Sequence, residues 1–290
     1  MNNLIRVIAR DGSVMCCAVD STKIAAEAER IHKTSATVTA ALGRLLTAGS
    51  MIASMLKNPE DSVTLRLSGG GPAGKFTVVA DGTGMVKGDV ENPVVEIPLN
   101  QYGKLDVAGA VGKEGSLTVI RDLGFAQPTI GSVPIVSGEI AEDVTYYYAV
   151  SEQIPTVCSL GVLVNPDLSV ASAGGFLVQL LPGADDSVID RLEENINKLP
   201  AVSQMIADGM TPEQIAFAAL EGFEPEVLDD RVAEYRCDCS RDRMRRALIS
   251  LGQEELGRMV EEGENIEVNC HFCGTTHVFT PEEIRSFMQK

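Results

Sequence analysis

The sequence predicts an α/β (α+β) N-terminal core domain, a helical linker and a small C-terminal domain. Three observations lead to this division. Short apolar runs rich in β-branched residues recur through residues 1–181 between Gly and Pro turns, with one long helical stretch among them. Amphipathic helical periodicity takes over in residues 182–231. Residues 232–290 are poor in apolar side chains but carry two close pairs of cysteines.

The core domain is expected to contain many short strands. Leu4 to Ala9 and Val14 to Val19 flank Asp11-Gly12, a dipeptide typical of a tight hairpin turn. A second hairpin is predicted around Asn165-Pro166-Asp167. The remaining predicted strands are Val63 to Leu67, Phe76 to Ala80, Met85 to Val90, Leu117 to Asp122, Val144 to Val150, Val157 to Val164 and Val170 to Leu181.

One long helical pattern interrupts these strands. It begins at Thr22, continues through apolar residues at three- and four-residue spacing, and is ended by Asn58-Pro59. Its most apolar part, Leu45 to Leu56, is twelve residues long. That length suits a buried helix rather than a membrane span, which needs about 20 apolar residues.

A glycine-rich stretch at residues 69–75 matches the first seven positions of a phosphate-binding loop, G-x-x-x-x-G-K. The eighth position, where Ser or Thr would hold magnesium, is Phe76. A strand pattern ending at Asp81-Gly82 follows, whereas phosphate binding needs the start of a helix. We interpret residues 69–75 as a hairpin connection and expect no ATP site.

The charge of the chain argues against nucleic acid as a partner. The net charge is −17, from 24 Lys and Arg against 41 Asp and Glu, and such a field repels phosphate backbones. A local basic cluster lies beside the first cysteine pair, at Arg236, Arg241, Arg243, Arg245 and Arg246. Residues 232–290 nevertheless carry eight basic against eleven acidic residues, so we interpret the cluster as one face of a helix.

The seven cysteines and the N-terminus indicate a reducing compartment. Arg6 and Arg10 interrupt the apolar run that a signal peptide would need. Cysteines in such a chain are expected to be thiols or metal ligands, and the protein to be soluble and cytoplasmic. Cys16, Cys17 and Cys158 lie in or beside apolar stretches and are interpreted as small core residues.

The linker is predicted to consist of short amphipathic helices. One apolar stripe contains Val188, Ile189, Leu192, Ile196 and Leu199. A further helix is predicted to start at the capping sequence of residues 211–214, Thr-Pro-Glu-Gln. Helices shorter than ~12–15 residues depend on packing for their stability. We therefore expect residues 182–231 to be folded only while their apolar stripes are covered.

Four cysteines near the end of the chain predict a metal site. Cys237-Asp238-Cys239 is separated by thirty residues from Cys270-His271-Phe272-Cys273. Four thiolates suit one zinc ion per chain in a tetrahedral site. Two interpretations remain open on spacing alone, a structural zinc knuckle and a thiol switch that zinc guards. His271 or His277 can also replace one cysteine as a ligand.

The C-terminal domain is expected to depend on this metal. Ser240 caps a predicted helix, residues 253–262 form a second, residues 266–268 form a strand leading into Cys270, and Thr280 opens a final helix. Apolar residues are sparse, so the core contributes little stability. Zinc binding is worth ~10–16 kcal/mol in finger-sized peptides, comparable with the ~5–15 kcal/mol stability of a whole domain.

These patterns together resemble the 33-kDa heat-shock protein family of redox-regulated bacterial chaperones. The resemblance rests on the spacing of the four cysteines and on two stretches of the core domain. These stretches are Ser151-Glu152-Gln153-Ile154-Pro155-Thr156 and the segment from Gly174 to Pro182, Gly-Gly-Phe-Leu-Val-Gln-Leu-Leu-Pro. It implies an α/β core, a helical linker and a zinc-binding redox switch, with no enzymatic activity.

The resemblance also implies a mechanism. The reduced, zinc-bound form is inactive, and oxidation forms the disulfides Cys237–Cys239 and Cys270–Cys273. Zinc is then released, the switch and linker unfold, and the exposed surface holds unfolding client proteins without ATP, in a homodimer. In part the residues support this independently, because zinc keeps thiols deprotonated and each thiolate has a partner two or three residues away.

Two other classes of protein use similar cysteine pairs. A zinc-ribbon nucleic-acid-binding protein would need a basic face, which the local charge balance disfavours. A thiol-disulfide oxidoreductase would use Cys270-x-x-Cys273 at the start of a helix, whereas Gly274-Thr275-Thr276 suggests a turn.

Overall fold

The structure is a computed structural model that describes residues 2–288. It divides the chain into a first unit ending at Arg236 and a second unit beginning at Cys237. The strands of the first unit are β1 (Leu4–Ala9), β2 (Val14–Asp20), β3 (Ser62–Ser68), β4 (Lys75–Asp81), β5 (Met85–Val90), β6 (Ser116–Asp122), β7 (Thr129–Pro134), β8 (Thr156–Val164), β9 (Val170–Leu180), β10 (Pro225–Arg231) and β11 (Glu234–Tyr235). Its helices are α1 (Thr22–His32), α2 (Ala36–Ala53), α3 (Val107–Val111), α4 (Ala141–Tyr147), α5 (Asp186–Lys198), α6 (Val202–Ala207) and α7 (Pro212–Ala219), with a π-helical turn at Tyr148–Glu152.

The strands of the first unit form two sheets. Sheet A has the order β10-β1-β2-β9-β8 and is antiparallel throughout. Sheet B has the order β11-β5-β4-β3-β6-β7, and only its short β11–β5 pair is parallel. The predicted mixture of helices and strands is therefore confirmed, with hairpins as the dominant connection.

Helix α2 lies between the two sheets and forms the centre of the first unit. All of its 18 residues except Ala36 and Arg44 are buried. Gly43 permits a close approach to β8, since a Cβ there would lie 3.0 Å from Val162, and Gly49 permits the same toward β4. The helix is long and apolar enough to cross a membrane, but 89% of it is buried inside the protein, as expected of a core helix.

Helices α5, α6 and α7 cover the face of sheet A that points away from α2. Sheet residues Ile5, Val7, Phe176 and Val178 form one apolar cluster with side chains of these helices. The helical residues buried in this cluster are Val188, Leu192, Val202, Met205, Ile215, Ala216, Ala219 and Leu220. The predicted stripe of α5 is thus only partly buried, because Ile189 is 39% exposed.

The predicted helical linker ends in a strand. Residues 225–231 form β10, which pairs with β1 along its length. Helical periodicity could not reveal this strand, because its sequence, Pro-Glu-Val-Leu-Asp-Asp-Arg, is poor in residues that favour strands. The boundaries 1–181, 182–231 and 232–290 remain a prediction.

The glycine-rich stretch at residues 69–75 joins β3 to β4 in an antiparallel hairpin, as predicted. Its glycines allow close packing against the end of α3. A Cβ at Gly69 would lie 2.3 Å from the carbonyl oxygen of Gly112, and one at Gly71 would lie 2.4 Å from that of Ala110. The strand β4 begins directly at Lys75, where a phosphate-binding loop would continue into a helix.

The predicted strand from Val144 to Val150 is wrong. This segment lies in α4 and the π-helical turn that follows. The cause is the fully buried carboxylate of Asp143, which accepts hydrogen bonds from the amides of residues 136, 137, 138 and 140 at 2.8–3.1 Å. This tertiary arrangement fixes the start of the helix and overrides the strand preference of the Val and Tyr side chains.

We expect Asp143→Ala to destabilise the first unit by about 3 kcal/mol or more. The substitution leaves four amide donors without this acceptor, two of them buried, and each buried unpaired donor costs ~1–3 kcal/mol. Denaturant unfolding followed by circular dichroism measures the loss. Glu142→Ala is the matched control on the exposed side of the same turn, and equal stability of the two variants would contradict this role of Asp143.

The second unit is small and has little apolar core. It contains α8 (Arg241–Ile249), α9 (Gln253–Glu262), β12 (Ile266–Asn269), β13 (Thr276–Phe279) and α10 (Pro281–Phe287). Its cluster of buried apolar side chains consists of Leu248, Leu256, Phe279 and Ile284. The predicted caps are confirmed, since Ser240 accepts from the amide of Arg243 and Thr280 forms a capping box with Glu283.

Candidate metal centre

Two local structures position the four predicted cysteines. Cys237 and Cys239 lie in extended chain between β11 and α8. Cys270 and Cys273 lie in the tight turn between β12 and β13. In that turn the amide of Gly274 donates to the carbonyl of Cys270 at 2.8 Å, and Gly274 has the positive φ of 70° that glycine adopts most easily.

The structure brings all four sulfur atoms together. The Sγ atoms of Cys237 and Cys270 are 3.6 Å apart, and those of Cys239 and Cys273 are 3.4 Å apart. All four lie within 4.8 Å of one another. A tetrahedral zinc site with Zn–S bonds of about 2.3 Å has S···S edges of about 3.8 Å. The cluster therefore has the size of a four-thiolate metal site.

The protonation of the cluster also favours a bound cation. Burial, together with the neighbouring Cys270, raises the pKa of the Cys237 thiol to about 11. Burial raises the pKa of Cys273 as well, but hydrogen bonds with the side chain and backbone of Thr275 and with the neighbouring Cys239 and Cys270 outweigh it and bring that pKa to about 7. Four thiolates this close repel one another, so a divalent cation is needed to keep all of them ionised together.

The groups next to the cluster are polar. His277 on β13 lies with its Nε2 3.9 Å from the Sγ of Cys239, while His271 is exposed in the turn. Among the described residues, the group close enough to hold one metal ion consists of the four cysteines without a histidine. Asp238, between the first two cysteines, accepts a hydrogen bond from Arg243. The contact of Thr275 with Cys273 has no signal in the sequence, whereas His277 is a candidate ligand from the sequence and lies beside Cys239.

The other three cysteines differ from this cluster. Cys16 and Cys17 are fully buried, and Cys158 is half-buried. Burial raises the pKa of Cys17 to about 11 and raises that of Cys158. Thiols are much weaker nucleophiles than thiolates, so these three side chains are protected from oxidants.

The arginines near the cluster are largely paired within the protein. Arg241 binds Glu283 at 2.7 Å and lies over the ring of Phe279. The other ion pairs are Arg236 with Glu234, Arg243 with Asp238 and Arg245 with Asp242. Four of the five predicted basic residues therefore have an acidic partner, which disfavours a phosphate-binding face.

Comparison with known proteins extends these findings to the whole chain. The sequence profile described as "Hsp33 protein" matches residues 2–280. The chain belongs to the Hsp33 family. The resemblance drawn from the cysteine spacing is thereby confirmed, and the Hsp33 match includes both the first unit and the cysteine cluster.

Individual Hsp33 relatives are similar along their full length. A 33 kDa chaperonin of Clostridium botulinum (strain Hall) is 44% identical over 288 residues, covering 99% of this chain and 97% of the relative. A 33 kDa chaperonin of Clostridium perfringens (strain SM101) is 45% identical over 290 residues, covering 100% and 92%. The crystal structure of the Thermotoga maritima 33 kDa chaperonin superposes with a TM-score of 0.88, at 37% identity and coverage of 100% and 98%. These names support a chaperone function for this Hsp33-family chain.

Proposed function

We propose that the chain is a redox-regulated, ATP-independent holdase chaperone. The observation that carries this proposal is the cluster of four thiols within 4.8 Å, in a unit of the Hsp33 family with four buried apolar side chains around its core. A unit with so small a core needs its metal to stay folded. Oxidation of the ligands therefore acts on folding as well as on metal binding.

In the reduced form, one zinc ion is held by Cys237, Cys239, Cys270 and Cys273. Zinc supplies the positive charge that keeps all four sulfurs as thiolates at neutral pH. Asp238 and Arg243 neutralise each other beside the site. The four thiolates are at once the ligands and the groups that oxidants attack.

Oxidation converts four thiolates into two disulfides. As each disulfide forms, its two thiolates transfer two electrons to one peroxide molecule, so two peroxides and four protons yield four waters. We assign the pairs Cys237–Cys239 and Cys270–Cys273, as the family resemblance implies. In the reduced cluster, two close sulfur contacts also run between the two segments, from Cys237 to Cys270 and from Cys239 to Cys273. The short separation within each pair supports the assignment, since partners two or three residues apart close a loop at a low entropic cost.

Release of the linker provides the client-binding surface. The helices α5, α6 and α7 have 13, 6 and 8 residues, so they depend on packing against sheet A. That packing is incomplete, since an apolar cleft of about 240 Å³ lies beside α5, lined in part by Val157, Val178 and Leu192. Apolar faces uncovered in this way bind the apolar segments of unfolding proteins.

The proposed partners are those that the family resemblance implies. Clients are unfolding proteins, and the active form is a homodimer in the cytoplasm. The acidic chain and its paired arginines disfavour nucleic acid, and the loop at residues 69–75 continues into a strand, so ATP has no part in the cycle. No catalytic residue and no membrane attachment are assigned. A thiol-disulfide oxidoreductase is disfavoured because Cys270 and Cys273 lie in a hairpin turn rather than at the start of a helix.

Zinc and thiol measurements before and after oxidation test this function. The reduced protein is expected to contain one zinc per chain, and peroxide with mild heat to release it while four thiols disappear. Native mass spectrometry, thiol titration and light scattering of a heat-unfolded client follow the three changes together. Suppression of aggregation that is equally strong before and after zinc release would contradict the proposed regulation.

We expect Asn195→Ala to lower the amount of oxidant needed for activation. The buried amide of Asn195 on α5 donates to the carbonyls of Ala219 and Glu221, at 3.2 and 2.9 Å, and so ties α5 to the end of α7. Its loss removes the donor from both carbonyls, of which that of Ala219 is buried, at a cost of ~1–3 kcal/mol. Titration with peroxide measures the shift, and Asn197→Ala on the exposed side of α5 is the control.

A further inference from the structure

Strand β10 forms one edge of sheet A and is held there mainly by main-chain hydrogen bonds and by charges. None of its residues is buried, and its apolar side chains Val227 and Leu228 are 46% and 48% exposed. Its register against β1 shifts opposite Arg6 and Val7, where Leu228 is the extra residue. A strand with so little buried surface and a bulge is weakly fixed.

Its partner β1 is firmly held in sheet A by buried apolar side chains. Ile5, Val7 and Ala9 are 7%, 0% and 1% exposed and belong to the apolar cluster of sheet A. β1 also pairs with β2 along its other side. It therefore keeps its place when β10 leaves, and its outer main-chain groups become an open sheet edge beside an apolar face. Open edges of this kind accept extended segments of other chains.

Two arginines at this edge indicate that it binds segments with carboxylate side chains. Arg6 on β1 forms a two-pronged ion pair with Asp229 of β10. Arg10 pairs with Glu224 at 2.7 Å, just before β10. On departure of β10 both arginines lose these carboxylates, while Val7 loses only the half-exposed Val227 opposite it.

We propose that β1 binds clients by strand addition, with an extended client segment taking the place that β10 leaves. The proposal rests on the proposed release of the linker and names the chemistry of the partner at that site. The segment it fits carries a carboxylate opposite Arg6 and, two residues away, an apolar side chain opposite Val7. A side chain larger than Val227 buries more surface there, so such a segment competes with the protein's own β10.

Hydrogen exchange tests the position of the client. In the reduced protein the amides of residues 3–10 that face the β10 segment are paired. The amide of Asn3 donates to the carbonyl of Arg231, and that of Arg10 donates to the carbonyl of Phe223. Oxidation is expected to open exchange in residues 186–231 and at the outer amides of residues 3–10. Binding of an unfolded, cysteine-free client is then expected to restore protection in residues 3–10 alone. Bound client that leaves residues 3–10 open overturns strand addition but not linker release. Continued protection of residues 186–231 overturns both.

A synthetic peptide of residues 223–231 tests the chemistry of the edge on the full chain. It is expected to displace client from the oxidised protein and to leave the reduced protein unaffected, because β10 still fills the edge there. N-methylation of the peptide amides that face β1 is expected to weaken competition at least about tenfold, which corresponds to ~1.4 kcal/mol. N-methylation of the outward amides is the matched control. Equal competition by the two methylated peptides would overturn the proposal.

Charge reversal gives an independent test. A peptide with Asp229→Arg is expected to displace client from the unmodified oxidised protein about tenfold less well. Its competition is expected to recover when the full chain carries Arg6→Asp. Recovery identifies the Arg6–Asp229 contact as the one that orients the segment. Competition that is insensitive to both changes would contradict the assigned register.

Discussion

The double substitution Cys237→Ser/Cys270→Ser is expected to abolish zinc binding and to unfold residues 237–290. It removes one thiolate from each local structure that forms the cluster, and these two sulfurs lie 3.6 Å apart. The loss of ~10 kcal/mol or more of apparent binding free energy is beyond what a core of four buried apolar side chains can replace. Zinc analysis and hydrogen exchange over residues 237–290 measure the two effects.

The outcome for the first unit separates this expectation from general misfolding. Strands β2 to β9 and helix α2 are packed in the apolar clusters of the first unit, so their exchange protection is expected to stay within the range of the unchanged protein. His271→Ala, an exposed change in the same turn, is the control that should keep one zinc per chain. Full zinc retention in the double variant would show that the four cysteines are not the ligands.

Deletion of residues 232–290 is expected to give a chaperone that suppresses client aggregation even with reductant present. The deletion removes the metal site together with β11, which holds the chain to β5 just before Cys237. The remaining end of the chain is β10, whose residues are all at least partly exposed, and chain ends of this kind fray. Light scattering of a heat-unfolded client in the presence of reductant measures the effect.

A second truncation shows what β11 contributes. Deletion of residues 237–290 keeps β11, where the Tyr235 hydroxyl donates to the Gly88 carbonyl at 2.9 Å and Asn3 accepts from the Ala233 amide at 2.8 Å. This form is expected to be less active than the longer deletion. Strong protection of residues 186–231 in either truncated form while it is active would refute activation by linker release.

Much of this architecture can be predicted from local patterns. Turn residues and alternating apolar runs predict the β1–β2, β3–β4 and β8–β9 hairpins, because both strands of a hairpin lie close in sequence. Capping sequences at Thr211, Ser240 and Thr280 predict the starts of three helices, since the cap and its amide partner are three residues apart. The cysteine cluster can also be predicted, because the two cysteines of each pair are only two or three residues apart and four thiolates suit one metal ion.

The features that escape prediction depend on distant contacts. The strand β10 is acidic and contains proline, and it is a strand because β1, more than 200 residues earlier, offers a free edge. The helix α4 starts where the buried Asp143 gathers amides from an irregular loop. The contact of Thr275 with Cys273, at 3.2 Å, also depends on the fold of the turn. None of these has a periodic signal in the sequence.

The burial of α2 from both sides has a consequence for recovery after stress. Sheet A is supported on its inner face by α2 and on its outer face by α5, α6 and α7. Departure of the outer helices removes only one of these supports, so strands β1, β2, β8 and β9 are expected to keep their shape and their register. The outer helices then have an intact surface on which to fold again. If the proposed activation holds, an activated molecule is accordingly expected to return to rest without refolding from the beginning, once reductant and metal are restored.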